Sequence, residues 1–176
     1  MNGAWACAHL VDSYRFTGDR EDLKKSLPIL ESNARFIMSW FEEDDQGHYL
    51  SGPGVSPETG FYAPDGTGPN VLSYVSNGTS HDQLLGRESL RNYIYACGEL
   101  GIRTPTLVKA VQFLKKIPQP AIGSDGRVLE WRQPFEEMQK GHRHISHLYG
   151  LFPGTEWDVL NTPHYVAQDC LELLAC

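Results

Sequence analysis

Apolar residues recur at three- and four-residue steps over much of the chain, which is the spacing of a helix with one buried face. The first such run consists of Ala4, Cys7, Ala8, Val11 and Tyr14. It predicts a helix over residues 3–16, ended by Thr17-Gly18-Asp19. The second run consists of Leu23, Leu27, Leu30, Ala34, Ile37 and Phe41, and it is interrupted by Pro28. We therefore expect a short helical turn, then a longer helix that starts near Ser26 with Pro28 in its first turn.

Further helices are expected in the second half of the chain. Residues 81–100 are apolar on more than one side, which predicts a well-buried helix, and Thr104-Pro105 and Thr162-Pro163 have the composition of helix starts. The segments 44–80 and 118–146 have no sustained period and are rich in Gly and Pro. Strand signals are confined to Gly47–Leu50 and Arg127–Trp131. Loops of this length within a folded domain are usually functional, so both should form a site.

This pattern predicts an all-α fold of helical hairpins with long polar loops at one rim. A toroid of paired helices fits better than a plain bundle, whose connections are shorter. The last apolar stripe still runs at Cys176 without a cap, and the first helix begins almost at residue 1. We therefore expect residues 1–176 to form a single, incomplete domain, a fragment of a longer one.

Composition narrows the classes of partner. The chain has 176 residues, of which 40% are hydrophobic, enough for a sizeable core. Its net charge of −7 and the lack of a basic run argue against nucleic acid and anionic membranes. No apolar stretch is long enough to cross a membrane, and residues 1–20 do not resemble a signal peptide. The four cysteines are scattered without the spacing of metal ligands.

The segment 141–154 carries the strongest chemical signal, because His142, Arg143, His144 and His147 fall within six positions of one another. One interpretation is a solvated polar turn before a core helix. Another is a pocket wall, in which a cation and imidazoles bind a small polar ligand. A third is a metal site, since His144 and His147 can share a helical face. A guanidinium beside a dication is unfavourable, which weighs against the third.

A carboxylic acid within the first long loop is a second candidate. The segment Ser56-Pro57-Glu58 is consistent with a helix start, with serine as the cap and proline in the first turn. Alternatively, Glu58 is a general acid held on a rigid proline turn. Burial against Tyr49, Phe61 and Tyr62, which are close in sequence, would keep such an acid protonated near neutral pH.

Two further acidic residues are weaker candidates. Glu130-Trp131 pairs a carboxylate with an indole, as in sugar sites where an aromatic face packs on the ring and a carboxylate binds hydroxyl groups. Asp82 follows His81 at the start of a buried helix. It could contact a ligand, although stabilisation of the helix N-terminus is the simpler role.

Together these segments resemble glycoside hydrolase family 95, the inverting α-L-fucosidases with an (α/α)6 barrel. The matching segments are Gly3-Ala4-Trp5, Tyr14-Arg15-Phe16-Thr17-Gly18-Asp19, Val55-Ser56-Pro57-Glu58, Asp82-Gln83-Leu84-Leu85, Glu130-Trp131 and residues 141–154. The resemblance covers nearly the whole chain. It implies about half of the helices of such a toroid, and a fucosylated oligosaccharide or glycan as the substrate.

The resemblance also implies a role for each candidate. Glu58 would protonate the departing glycosidic oxygen, while Arg143 and His144 would hydrogen-bond the fucose hydroxyls. His142 and His147 would orient that pair. No metal or cofactor is implied. Inverting enzymes leave room for a water molecule, so their acid and base are ~6.5–9.5 Å apart.

The residues that activate this water in the family are asparagines before the Gly-Ala-Trp helix and an aspartate after the final helix, and neither is present. The resemblance therefore implies that the rest of the barrel is a required partner and that the isolated chain is inactive. It further implies a secreted full-length protein. Smaller departures are Gly52 or Pro53 in place of a cysteine, Thr59 in place of an asparagine and His81 in place of a methionine.

Three alternatives remain at this stage. Related enzymes act on L-galactosides, so the sugar is not determined. The chain could also be a remnant that binds fucose through Arg143, His144 and Trp131 without turnover. Finally, the three histidines could serve a metal-dependent hydrolase.

Overall fold

The structure, a computed structural model, describes residues 1–64 and 69–158. The chain divides into two units, one of residues 1–50 and 85–118 and the other of residues 51–84 and 119–176. The helix predicted from Thr162-Pro163 lies outside the described residues. Within those residues, no helix is both long and apolar enough to cross a membrane.

Helix α1, Asn2–Thr17, begins and ends close to the predicted bounds. Gly18 ends it in the left-handed conformation, with φ of 69°, and donates its backbone N–H to the carbonyl of Tyr14 at 2.7 Å. A residue with a Cβ would be strained there, which is why glycine is common at this position.

Helix α2, Arg20–Trp40, is continuous, so the predicted break before Pro28 is wrong. Asp19 caps the start of this helix, and its carboxylate accepts hydrogen bonds from the N–H groups of Glu21 and Asp22. Pro28 is exposed, and it removes one hydrogen bond from the helix. Leu23 and Leu30, on either side, are fully buried, and their packing holds the helix together across the proline.

Helices α3, Ser80–Leu100, and α4, Pro105–Leu114, confirm the predicted segments. Thr104 caps α4 by accepting a hydrogen bond from the N–H of Leu107 at 3.0 Å. Its hydroxyl is also 2.7 Å from that of Tyr93 in α3. Burial raises the pKa of Tyr93 to about 12, because the charged phenolate is poorly solvated inside the unit.

The core of the first unit is formed by α1, α2, α4 and the part of α3 from Leu85 onward. It contains Ala4, Val11, Tyr14, Leu23, Leu30, Ala34, Ile37, Phe41, Leu90, Tyr93, Ala96, Cys97, Ala110 and Ile117. These are largely the apolar positions that define the helical period, so the sequence pattern and the packing agree.

Seven short strands also occur in the described residues, so the prediction of an all-α fold is too narrow. Their bounds are β1 Phe41–Glu43, β2 Tyr49–Ser51, β3 Gly54–Val55, β4 Phe61–Ala63, β5 Val71–Ser73, β6 Val75–Ser76 and β7 Glu136–Glu137. β1 pairs with β2, β3 with β6, and β4 lies between β5 and β7. Strands of two or three residues are too short for an alternating pattern to be recognised.

The two strand signals had different outcomes. Gly47–Leu50 overlaps β2, whereas Arg127–Trp131 contains only an isolated bridge between Val128 and Ile122. The antiparallel β4–β7 pairing aligns Phe61 with Glu137 and joins the two long loops of the second unit. The loops that were predicted to form a site therefore make a common structure.

Candidate active site

Glu58 lies on a tight turn and not at the start of a helix. The N–H of Thr59 donates to the carbonyl of Ser56 at 3.0 Å and closes the turn, and the Pro57–Glu58 peptide bond is cis. The helix-start interpretation of this segment is therefore wrong. The Glu58 side chain is 62% exposed and can reach a ligand.

The side chain of Glu58 lies close to those of Arg143 and His144, which are distant in sequence. Nη2 of Arg143 is 2.8 Å from Oε2 of Glu58, across a separation of 85 residues, and Nδ1 of His144 is 3.8 Å from the same oxygen. Both side chains of the ion pair are exposed, and such pairs contribute only about 0–1 kcal/mol. A ligand with hydroxyl groups can therefore displace the guanidinium from the carboxylate at little cost.

The expected burial of Glu58 against aromatic rings is not observed. Phe61 is itself buried, and its ring packs against those of Trp131 and Phe135 at centroid distances of 4.9 and 4.4 Å. The aromatic side chain nearest in sequence thus belongs to the interior of the second unit. Glu58 instead contacts the polar side chains of Arg143 and His144.

His142 supports the backbone that carries His144. Its Nδ1 accepts a hydrogen bond from the N–H of His144 at 3.1 Å, and the two rings are edge to face at 5.1 Å. A ring nitrogen that accepts from a backbone N–H is unprotonated, which specifies the tautomer of His142. The contact thus holds the backbone of His144, whose ring lies near Glu58.

Glu130 bonds to two protein side chains, one of them in the turn of residues 56–59, which is called the acid turn below because it carries the candidate acid. The hydroxyl of Ser56 donates to Oε1 of Glu130, and Oε2 bonds to Nδ1 of His147. The prediction that this carboxylate binds sugar hydroxyls finds little support, because the side chain is 9% exposed and each oxygen bonds to a protein side chain.

Trp131 is also directed inward. Its side chain is among the largest fully buried ones, at 2% exposure. Since Phe61 packs on the indole, the expected role as an open platform for a sugar ring is not supported either.

Asp82 lies in the first turn of α3, where a negative charge is favourable. It is buried, its N–H donates to the hydroxyl of Thr79 at 3.3 Å, and its carboxylate is 3.5 Å from the ring of His81. These contacts agree with the simpler of its two predicted roles, a structural one at the helix start.

Ser146 is a site residue that the sequence reasoning did not identify. Its hydroxyl donates to the carbonyl of Pro57 at 2.5 Å, so it holds the residue directly before Glu58. It begins a short 3₁₀ turn, Ser146–Leu148. The only available signal was its position inside the histidine-rich segment, which does not show that its partner lies 89 residues away.

A cavity of about 120 Å³ adjoins this network, with Thr59, Glu130, Trp131, His142 and His147 among its lining residues. Asp125, also in the lining, is paired with Arg127, whose guanidinium lowers the pKa of that carboxyl. Over residues 1–64 and 69–158, no group of three or more His, Cys, Asp or Glu side chains is arranged to hold a metal ion. Nδ1 of His142 accepts a backbone N–H and is therefore not free to bind a metal ion.

The arrangement suits transfer of a proton to a bound polar molecule. Glu58 offers a carboxyl group at an exposed position, and Arg143 and His144 offer hydrogen-bond donors within a few ångströms of it. A sugar presents both an ether oxygen that can be protonated and hydroxyl groups that can accept from such donors.

Comparisons with known proteins agree with this chemistry. Residues 1–172 match the family model described as the glycosyl hydrolase family 95 catalytic domain. Alpha-L-fucosidase 2 of Arabidopsis thaliana is 37% identical over 165 residues, which cover 93% of this chain. Probable alpha-fucosidase A of Aspergillus niger is 27% identical over 157 residues, which cover 86% of it.

The match extends over nearly all of this chain but over a small part of those relatives. The chain spans 19% of the length of each of them. The matched residues include the acid turn, the Glu130-Trp131 segment and the histidine-rich segment. On this evidence of sequence and site together, the chain belongs to the glycosyl hydrolase family 95 catalytic domain family.

Proposed function

We propose that this chain forms the acid-bearing part of the active site of an α-L-fucosidase. The enzyme would release terminal L-fucose from fucosylated glycans with inversion at the anomeric carbon. The observation that carries the proposal is the contact of the Glu58 carboxylate with the side chains of Arg143 and His144. An acidic group and two donors for hydroxyl groups thus share one exposed position.

In the proposed reaction, protonated Glu58 donates its proton to the glycosidic oxygen as the bond from that oxygen to the anomeric carbon breaks. A water molecule attacks the opposite face of the sugar and loses a proton to a base, through an oxocarbenium-like transition state. Arg143 and His144 hold the sugar hydroxyls, which requires Arg143 to leave the carboxylate of Glu58. The sugar then shields Glu58 from water, which favours its protonated form.

The residues that activate the water are proposed to lie in sequence beyond these 176 residues. The chain would then be one part of a larger catalytic barrel. The length of the relatives is consistent with this, since residues matched by this chain make up 19% of each. The natural substrate class is a fucosylated oligosaccharide.

The test replaces Glu58 by Gln in a protein that carries this chain with its natural flanking sequence. Two substrates are compared, a fucosylated oligosaccharide and α-L-fucosyl fluoride. We expect the variant to lose roughly 10²–10⁴-fold in kcat on the oligosaccharide, the usual contribution of a general acid. The loss on the fluoride should be far smaller, because fluoride departs without being protonated.

Glu136→Gln is the matched control, because Glu136 is an exposed carboxylate of the same unit. It should leave both rates unchanged. NMR of the first product should show β-L-fucose if the reaction inverts the α-linkage. Unaltered hydrolysis of the oligosaccharide by Glu58→Gln would remove Glu58 as the acid. Saturable fucose binding by the wild-type protein without any hydrolysis would favour the alternative of a sugar-binding remnant.

A further inference from the structure

We infer that Glu130 is a positioning residue, which holds the acid turn against the segment that carries Arg143 and His144. The inference rests on the proposed function, since it concerns the placement of Glu58 for proton donation. It replaces the predicted role of Glu130 as a sugar contact. Its basis is the set of bonds that converge on one buried carboxylate.

The carboxylate joins two segments that are distant in sequence. Ser56, which is fully buried, lies two residues before Glu58, and His147 lies three residues after His144. Each bonds to a different oxygen of Glu130. A displacement of either segment would therefore break a bond to the same group.

The backbone around Glu130 is itself anchored. Its carbonyl accepts a hydrogen bond from the N–H of Ser80 at 3.0 Å, and the hydroxyl of Ser80 donates to the carbonyl of Leu129. Ser80 is the first residue of α3. The backbone that carries this carboxylate is thus bonded to the start of α3. The segments that contain Ser56 and His147 are therefore both attached to a residue that a helix holds in place.

A second contact acts in parallel. The bond from Ser146 to the carbonyl of Pro57 links the same two segments directly at the residue before Glu58. Removing one contact should loosen the turn without releasing it. We therefore expect a loss of catalytic placement and not a loss of fold.

The same bonds direct the Glu130 carboxylate towards the protein. Its carboxylate accepts from the hydroxyl of Ser56 and bonds to Nδ1 of His147, and its side chain is 9% exposed. Deleting the carboxylate would leave those two groups without a partner. Its bond to Ser56 joins it to the turn that carries Glu58, and it acts on the reaction through that turn.

The test is a double-mutant cycle of Glu130→Ala and Glu58→Gln in the protein with its natural flanking sequence, assayed on both fucosides. Small misplacements of a catalytic group can cost up to about 10²-fold, so we expect Glu130→Ala to lower kcat on the oligosaccharide by roughly 10- to 10²-fold. KM and the rate on the fluoride should change much less. In the Glu58→Gln background, Glu130→Ala should have almost no further effect.

An equal loss from Glu130→Ala in both backgrounds, or an equal loss on both substrates, would overturn the inference. Glu130→Gln should recover most of the activity, because Gln can bond to both partners if the His147 tautomer changes. Should Glu130→Ala fail to fold, Ser56→Ala makes the same comparison with a smaller deletion. If Glu58→Gln alone has no effect on the rate, the proposed function fails. If Glu58→Gln lowers the rate and Glu130→Ala causes the same loss with or without it, only the inference about Glu130 fails.

Discussion

At the scale of single residues, two glycines of α3 have different surroundings. A Cβ built on Gly86 would overlap the ring of Phe41, whereas one built on Gly98 would have no atom within 4 Å. Phe41 is buried and packs edge to face against Phe113. Gly86 is therefore needed so that the ring can approach the helix backbone, and Gly98 is not required for packing.

This contrast predicts opposite effects of the same substitution. Gly86→Ala should lower the free energy of unfolding by about 1–3 kcal/mol, because it overfills a packed interior. Gly98→Ala should leave it unchanged or raise it by up to about 1 kcal/mol, because alanine is the better helix former. Urea unfolding of the 176-residue chain, followed by circular dichroism, measures both. Equal losses in the two variants would contradict the role given to Phe41.

Residue identities were easier to predict than residue roles. Glu58, Arg143 and His144 were identified from their local segments, and the structure brings them together. Glu130 and Trp131 were identified too, but their expected contacts with sugar were not supported. Whether a side chain faces a ligand or the interior depends on what the rest of the fold places over it, and no local pattern contains that information.

At the scale of elements, α2 shows how packing overrides a local preference. Pro28 lies in the interior of this 21-residue helix and is exposed to solvent. Proline cannot donate the backbone hydrogen bond that this position requires, and its ring crowds the preceding turn. The buried residues Leu23 and Leu30 keep both halves of the helix in one core.

Replacing this proline should therefore stabilise the chain. We expect Pro28→Ala to raise the free energy of unfolding by about 1–3 kcal/mol, since it restores a hydrogen bond and relieves the crowding. Pro105→Ala is the matched control, because Pro105 is the first residue of α4, where no hydrogen bond is lost to proline. It should give no such gain. Thermal unfolding of both variants measures this, and destabilisation by Pro28→Ala would mean that α2 depends on the proline.

At the scale of the whole molecule, the chain matches one family over residues 1–172 and spans 19% of its relatives' length. The proposed acid, Glu58, is within it. The proposal places the residues that activate water elsewhere, and an inverting reaction needs acid and base together, about 6.5–9.5 Å apart. Neither part would be sufficient alone.

The proposal therefore predicts that the 176-residue chain, by itself, does not hydrolyse fucosides. Purified chain and the protein with its natural flanking sequence should be assayed side by side for released L-fucose. Only the longer protein should be active, and its activity should disappear in Glu58→Gln. Hydrolysis by the 176-residue chain that is lost in Glu58→Gln would show that these residues contain a complete site.

The sequence by itself predicted α1, α3 and α4 with the caps at Gly18 and Thr104, and it identified Glu58, Arg143 and His144, which the structure brings together. Those features are local, because helical periodicity, capping and short motifs are all contained within a few turns of chain. Tertiary structure alone decided the short strands, the continuity of α2, the inward direction of Trp131 and the bonds of Glu130. Each of these depends on contacts between residues far apart in sequence, such as Ser56 with Glu130, and such contacts form only when the chain folds.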